Sequence, residues 1–284
     1  MNLTLYKLIV HKFLLSIAML AIVTGLAQAQ TRDSSVFLFD VARDEVVLSN
    51  NANIPRSIAS ITKIMTAIVA LDHDRNLDRH IQVKAGGKLP AGIHTRRDIM
   101  RAMLIRSDNR AADALAADFP GGGKAFVRAM NQRAQRLGMT TARFADASGL
   151  SANNRATAGE VIELIKASAL YPFIVETSVQ KQALFDINLR QRVRTIELEN
   201  TNRPLLFEFD EIVISKTGFT SAAGWCVALM VSKNDRNFIV VVLGARTKQE
   251  RLDITRKIMY NQLKDIEIDY KIEMLPWYQR LFMD

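Results

Sequence analysis

The chain contains a single cysteine in 284 residues, Cys226. An intrachain disulfide is therefore excluded, and packing alone must hold the fold. Cys226 lies in the apolar run Trp225 to Val231, which reads as a buried strand, so a structural thiol is expected there. Histidine is also scarce, with four in the chain. Only His73, His80 and His94 lie beyond the N-terminal segment, in loop-like or helix-start stretches that suit surface roles rather than base catalysis. Acidic residues are fewer than basic ones, 29 against 38, for a net charge of +9. Such a surface suits an anionic polymer or a membrane surface. No nucleic-acid motif, internal repeat, low-complexity tract or linker is visible. Beyond residue 29 no apolar run approaches transmembrane length.

The N-terminal segment has its own signature. Lys7 and Lys12 supply positive charge, Phe13 to Leu26 is apolar, and Ala27-Gln28-Ala29 is a small-x-small site. This reads as a secretory signal peptide over residues 1–29, cleaved after about Ala29. The apolar stretch is short for the alternative, an uncleaved membrane anchor. The remainder is long enough for one large domain, assigned to 30–264, and a short tail, 265–284. The aromatic, apolar end of that tail, Leu275 to Met283, suits contact with a membrane or a partner, or packing on the domain.

Along the domain, Ser35 to Asp40 and Glu45 to Leu48 are strand-like and read as a hairpin. The apolar run Ile64 to Leu71 reads as a buried helix, and Val83 to Gly92 reads as a loop. Thr95 is an N-cap candidate for a helix ending near Ile105, and Arg110 to Ala117 resumes helical spacing. Lys124 to Leu137 is amphipathic and stops at Gly138. Thr157-Ala158-Gly159-Glu160 is a capping-box pattern opening a helix through Ala169. Gln182 to Asn200 is expected to be extended. Ile212 to Ser215, Trp225 to Ser232 and Asn237 to Leu243 are strand candidates, the last two joined by a turn at Lys233 to Arg236. Thr247 to Leu263 reads as a closing helix. Strands at both ends with helices between predict an α/β sandwich built on one mainly antiparallel sheet with an inserted helical block.

Three short motifs carry chemistry. In Ser60-Ile61-Thr62-Lys63 the helical spacing puts a lysine amine beside a serine hydroxyl, a nucleophile next to a base. Ser107-Asp108-Asn109 supplies a second hydroxyl and an amide between two helices. Ser215-Lys216-Thr217-Gly218 ends a strand with a second lysine. Taken singly, each has a plain structural reading as a cap or a strand end. Together they describe acyl transfer. A desolvated Lys63 near a second cation serves as base for Ser60, and Ser107 with Lys216 relays a proton to the leaving nitrogen. Asn109 addresses a substrate amide and Lys63. The strand at Lys216 offers main-chain pairing to an extended peptide, and Gly218 permits its close approach.

In this order the motifs form the signature shared by class A β-lactamases and penicillin-binding proteins. The chain from about Ser35 to Leu263 resembles the low-molecular-mass penicillin-binding proteins, the D-alanyl-D-alanine carboxypeptidases and endopeptidases. Ala59 to Ala67, Phe144 to Leu150 with Asn153 and Thr157-Ala158, and Lys216 to Thr220 with Ala223-Gly224 carry the resemblance. Ser107 to Ala112 and Phe119 to Gly122 look nearest to the endopeptidase branch.

The resemblance implies a β-lactamase/transpeptidase-like fold and a periplasmic enzyme acting on peptidoglycan stem peptides, with β-lactams as covalent inhibitors and no metal or cofactor. It implies Ser60 as acylated nucleophile, Lys63 as base and Ser107 as proton relay. Asn109, Lys216, Thr217 and Gly218 would bind substrate. The N–H groups of Ser60 and Phe219 would form the oxyanion hole, and Arg251 would bind a terminal carboxylate. Trp225 departs from the family pattern, where a polar or basic residue is expected. A β-lactamase would need a deacylating Glu after Ser-Asp-Asn, and none lies between Asn109 and Gly159. A non-catalytic peptidoglycan-binding protein would not need all three motifs. The choice between endopeptidase and carboxypeptidase stays open at the level of residues.

Overall fold

The computed structural model describes residues 34–189 and 192–263. The signal-peptide and tail assignments, 1–29 and 265–284, lie outside the described residues. Among the described residues no helix is long and apolar enough to cross a membrane.

In chain order the elements are β1 (Ser35–Asp40), β2 (Glu45–Asn50), β3 (Arg56–Ser57), a 3₁₀ turn (Ala59–Ile61) and α1 (Thr62–His73). Then come β4 (His80–Val83), β5 (Gly92–Thr95), α2 (Arg96–Ile105), α3 (Asn109–Asp118), α4 (Gly122–Arg136), β6 (Arg155–Ala156), α5 (Ala158–Ser168) and α6 (Pro172–Ser178). The chain closes with β7 (Gln182–Leu189), β8 (Arg192–Glu199), α7 (Arg203–Glu208), β9 (Ile212–Thr220), β10 (Gly224–Lys233), β11 (Arg236–Ala245) and α8 (Lys248–Lys257).

Five strands form one antiparallel sheet in the order β2-β1-β11-β10-β9. The alternation of side chains across a strand splits the core in two. Phe37, Phe39, Cys226, Ala228, Met230, Ile239 and Val241 face the helical block that includes α1 to α5. Val36, Leu38, Val227, Leu229, Phe238 and Val240 face α7 and α8. Because both faces are covered, β10 and β11 are apolar at nearly every position, as their sequences show. The turn between them carries Asn234 and Asp235 at φ +50° and +57°, the left-handed pair that a tight hairpin requires.

Helix α1 is buried from Thr62 to Leu71, which is why its sequence is apolar all round rather than striped. Thr95 caps α2 by accepting from the Asp98 N–H, and Asp108 caps α3 by accepting from Arg110 and Ala111. The capping box at Thr157 and Glu160 is complete.

Several expectations need correction. The presumed loop 83–92 is the connection of a β4–β5 hairpin; its strands are four residues each, too short for a periodic signal. Helices α6 and α7 had not been expected; both are under eight residues and start at or beside a proline. The closing helix is α-helical only to Lys257 and continues as a π turn over Ile258–Gln262. His94 is buried, its Nε2 2.9 Å from the Pro90 carbonyl, rather than at the surface.

Candidate active site

The structure brings the three motifs to one cleft of about 390 Å³. It is lined by Ser60, Ser107, Asn109, Thr217, Gly218, Phe219, Trp225 and Arg251, among others. Each wall has a local cause. Ser60 lies in the 3₁₀ turn just ahead of α1, one step earlier than the first-turn position expected from spacing. Ser107 and Asn109 come from the α2–α3 corner, and Lys216 to Phe219 from β9, the edge strand of the sheet. Arg251 projects from α8.

Lys63 is fully buried and makes three short contacts. Its Nζ is 2.8 Å from Ser60 Oγ, 2.7 Å from Asn109 Oδ1 and 2.5 Å from the Ser148 carbonyl. Two of these partners can only accept, whereas a hydroxyl can also donate. A neutral amine therefore gives both its protons to Asn109 and Ser148 and turns its lone pair to the Ser60 hydroxyl. Burial lowers the Lys63 pKa to about 7, against the opposing pull of Asp146, Asp108 and Asp113. The amine is thus substantially unprotonated near neutrality. Desolvation, expected from sequence, is the leading cause; the second cation expected beside it is not among the causes, and three aspartates oppose the shift instead.

Lys216 is also buried. Its Nζ is 3.0 Å from Ser107 Oγ and 2.9 Å from the Thr217 carbonyl. Burial, then Lys63 and Arg251, push its pKa well below the ordinary lysine value. Thr217 Oγ1 is 2.7 Å from Thr201 Oγ1, so this side chain is engaged within the protein.

Two residues beside the nucleophile have left-handed backbones although neither is glycine: Ala59 at φ +45° and Ser107 at φ +62°. Strain of this kind persists where the surroundings over-determine it. At Gly149, φ is +82° and a Cβ would lie 2.0 Å from the Ala59 carbonyl oxygen. At Gly218 a Cβ would lie 2.9 Å from the Ser60 nitrogen. The glycine of Lys-Thr-Gly thus lets β9 pass close to the serine's own backbone; the tight approach is intramolecular, not only toward a substrate as expected.

Arg251, which the resemblance assigns to a terminal carboxylate, lies near the start of α8. It is only 2% exposed, and its Nε and Nη2 have no hydrogen-bond partner among the described residues. Burial lowers its pKa to about 10, which leaves it cationic at neutral pH. A buried cation with unmet donors lining a cleft suits an anionic group.

Sequence reasoning missed the Ser148 carbonyl, since a main-chain acceptor has no residue signature. It also missed Asp146, which sets that carbonyl in place. Its carboxylate accepts from the N–H groups of Ser148, Gly149 and Ser151 at 2.9, 2.5 and 2.7 Å. Burial opposes ionisation of Asp146, but these bonds outweigh it and hold the pKa below the usual range. Asp108, the middle residue of its motif, is buried and accepts from Leu89 N–H at 2.7 Å and from Lys88 N–H, tying the β4–β5 connection to the α2–α3 corner.

A serine hydroxyl with a lysine amine 2.8 Å away, and a buried guanidinium lining the same cleft, suit attack on an acyl bond next to a carboxylate. A family model described as D-alanyl-D-alanine carboxypeptidase matches residues 88–247. The chain is 34% identical over 241 residues to the D-alanyl-D-alanine endopeptidase of Escherichia coli, covering 81% of this chain and 77% of that protein. It is 34% identical over 245 residues to the protein of the same description from Pseudomonas aeruginosa, with the same coverage. The solved structure of penicillin-binding protein D2 from Listeria monocytogenes, in its cefotaxime-bound form, matches with a TM-score of 0.68 at 28% identity, over 79% of this chain and 94% of that one. The expected fold is therefore the one found, and the chain belongs to the D-alanyl-D-alanine carboxypeptidase family of serine peptidases, hydrolases of the bacterial cell wall.

Proposed function

We propose that this chain is a periplasmic D-alanyl-D-alanine endopeptidase that remodels peptidoglycan through an acyl-enzyme on Ser60. The observation that carries the reading is the Lys63 amine, buried, 2.8 Å from Ser60 Oγ and facing two obligate acceptors. In this mechanism Lys63 takes the Ser60 proton as Oγ attacks the D-Ala carbonyl. The N–H groups of Ser60 and Phe219 receive the oxyanion. Ser107, beside Lys216, passes a proton to the leaving amine, and water then hydrolyses the ester. The open edge of β9 pairs with the stem peptide. Asn109 and Thr217 contact its amides, and Arg251 receives the carboxylate on the leaving amino acid.

The endopeptidase assignment follows the relatives that are 34% identical; the description of the family model favours carboxypeptidase as the second reading. Export rests on the charged, apolar and small-x-small sequence of residues 1–29. β-Lactams would acylate the same serine. No glutamate lies between Asn109 and Gly159, and Glu160 is committed to its capping box, so the penicilloyl-enzyme should persist.

Mass spectrometry of products from purified cross-linked and pentapeptide muropeptides tests the assignment. Dimers converted to monomers mean endopeptidase; loss of terminal D-Ala alone means carboxypeptidase. Ser60→Ala should abolish cleavage and covalent penicillin labelling. Cleavage that survives in that variant would refute the acyl-enzyme.

A further inference from the structure

The structure gives Trp225 a defined place at the cleft. It stands directly opposite Phe219 in the β9–β10 pairing. Their rings stack at 4.2 Å between centroids and 30° between planes. A register shift after Trp225 in the β10–β11 pairing interrupts the ladder at this point, as a bulge that re-aims a side chain does. Both rings line the cleft, and Phe219 is 50% exposed. The Arg251 guanidinium lies 6.0 Å from the Trp225 ring centroid. The Arg251 guanidinium thus has an aromatic plate beside it, and both line the cleft.

The place beside the carboxylate has a chemical meaning. In a stem peptide ending in D-Ala, the carbon bearing the carboxylate carries a methyl group. In a cross-link, the leaving amine sits on the far end of a diamino-acid side chain. Its carbon bears an equivalent carboxylate but an aliphatic chain in place of the methyl. With the carboxylate on Arg251, a group on that carbon falls next to Trp225 and Phe219. A methyl covers little of two stacked rings, whereas several methylenes cover them well. A polar or basic residue at 225 would offer no such surface.

We infer that Trp225, stacked on Phe219 beside Arg251, is a specificity-determining residue that selects aliphatic, cross-linked leaving groups over terminal D-Ala. The inference rests on the peptidase reading above and deepens it. It predicts that Trp225→Ala lowers kcat/KM for a purified cross-linked muropeptide dimer about tenfold, the value of burying roughly two methylenes. The loss should appear in KM. Cleavage of the pentapeptide should fall several-fold less than cleavage of the dimer, and an unshifted thermal melt certifies that the variant folds. Trp225→Tyr, which keeps a plate, should restore most of the preference.

A second measurement does not depend on turnover. In Ser60→Ala protein with Trp277→Phe, Trp225 is the remaining tryptophan, since the chain has two. The dimer should quench its fluorescence at lower concentration than the pentapeptide does. An unchanged dimer-to-pentapeptide ratio in Trp225→Ala, or equal losses on both substrates, would overturn the inference and leave the endopeptidase reading standing. Wild-type enzyme that never cleaves dimers would overturn both.

Discussion

Lys216 Nζ lies 3.0 Å from Ser107 Oγ, joining residues 109 positions apart in the chain. It is a buried lysine whose partners are a hydroxyl and a carbonyl, with no carboxylate among the hydrogen-bond and ion-pair partners found for it. Burial of this kind is paid in stability and retained for function.

The cost is measurable. Replacing Lys216 by Met removes the desolvation penalty, so Lys216→Met should melt several degrees higher at pH 7, at about 2–4 °C per kcal/mol for a chain of this size. Its penicillin acylation should fall by at least about a hundredfold. The sign with pH follows from the lowered pKa in the folded state. Above that folded pKa and below the ordinary lysine value, the unfolded chain holds more protons than the folded one, so wild-type stability rises with pH. The variant's advantage should therefore shrink toward pH 10. Thermal melts of both proteins from pH 7 to 10 check this; a widening gap contradicts it.

Lys63 sets the pH profile of acylation. Below its pKa of about 7 the amine is protonated and cannot accept the Ser60 proton. The acylation rate should climb with pH through about 7 and level off above it, with pH 6 roughly tenfold below the plateau. Lys63→Gln should lose about 10²–10⁴ in rate and show no such step. Stopped-flow labelling with a fluorescent penicillin between pH 5.5 and 9 reads both, and a flat wild-type profile would exclude Lys63 as the base.

Gly149 supports the nucleophile through its backbone. An alanine there meets a left-handed φ of +82° and the Ala59 carbonyl at 2.0 Å. Gly149→Ala should cost about 2–4 kcal/mol in denaturant unfolding, and it should displace the Ser60 turn. Acylation should drop well beyond what Ala152, an alanine outside the cleft lining, loses on change to Ser.

Glu160 separates architecture from catalysis. Its carboxylate closes the capping box and also accepts from Thr141 N–H, Thr141 hydroxyl and Ala142 N–H, at 2.6, 2.8 and 3.0 Å. Glu160→Ala should destabilise the fold by about 1–3 kcal/mol. The lifetime of the penicilloyl-enzyme should not change. A lifetime that lengthens in the variant would mean that Glu160 assists deacylation.

Much of this site was legible in the residues. Ser60 and Lys63 are neighbours because a helical turn makes them so, and the caps at Thr95 and Thr157 follow from local hydrogen-bonding chemistry. The strands β10 and β11 announced themselves by apolar length. The β4–β5 hairpin and helices α6 and α7 did not, because elements of four to seven residues carry too few side chains to show a period. His94 was misplaced for a related reason, since its burial depends on a hairpin the pattern does not reveal.

What the chain's sequence determined by itself was the inventory: a serine and lysine on one turn, a second hydroxyl and amide between helices, a second lysine at a strand end, and no disulfide to help. Those are local facts, set by spacing and side-chain chemistry. Tertiary structure decided what the inventory does. It buried Lys63 so that a large share of its amine is unprotonated near neutrality, brought the Ser148 carbonyl from 85 residues away to orient it, and left Arg251 cationic beside Trp225, with donors unmet among the described residues. Each of these depends on desolvation and on contacts between distant segments. Neither is encoded in any short stretch of sequence.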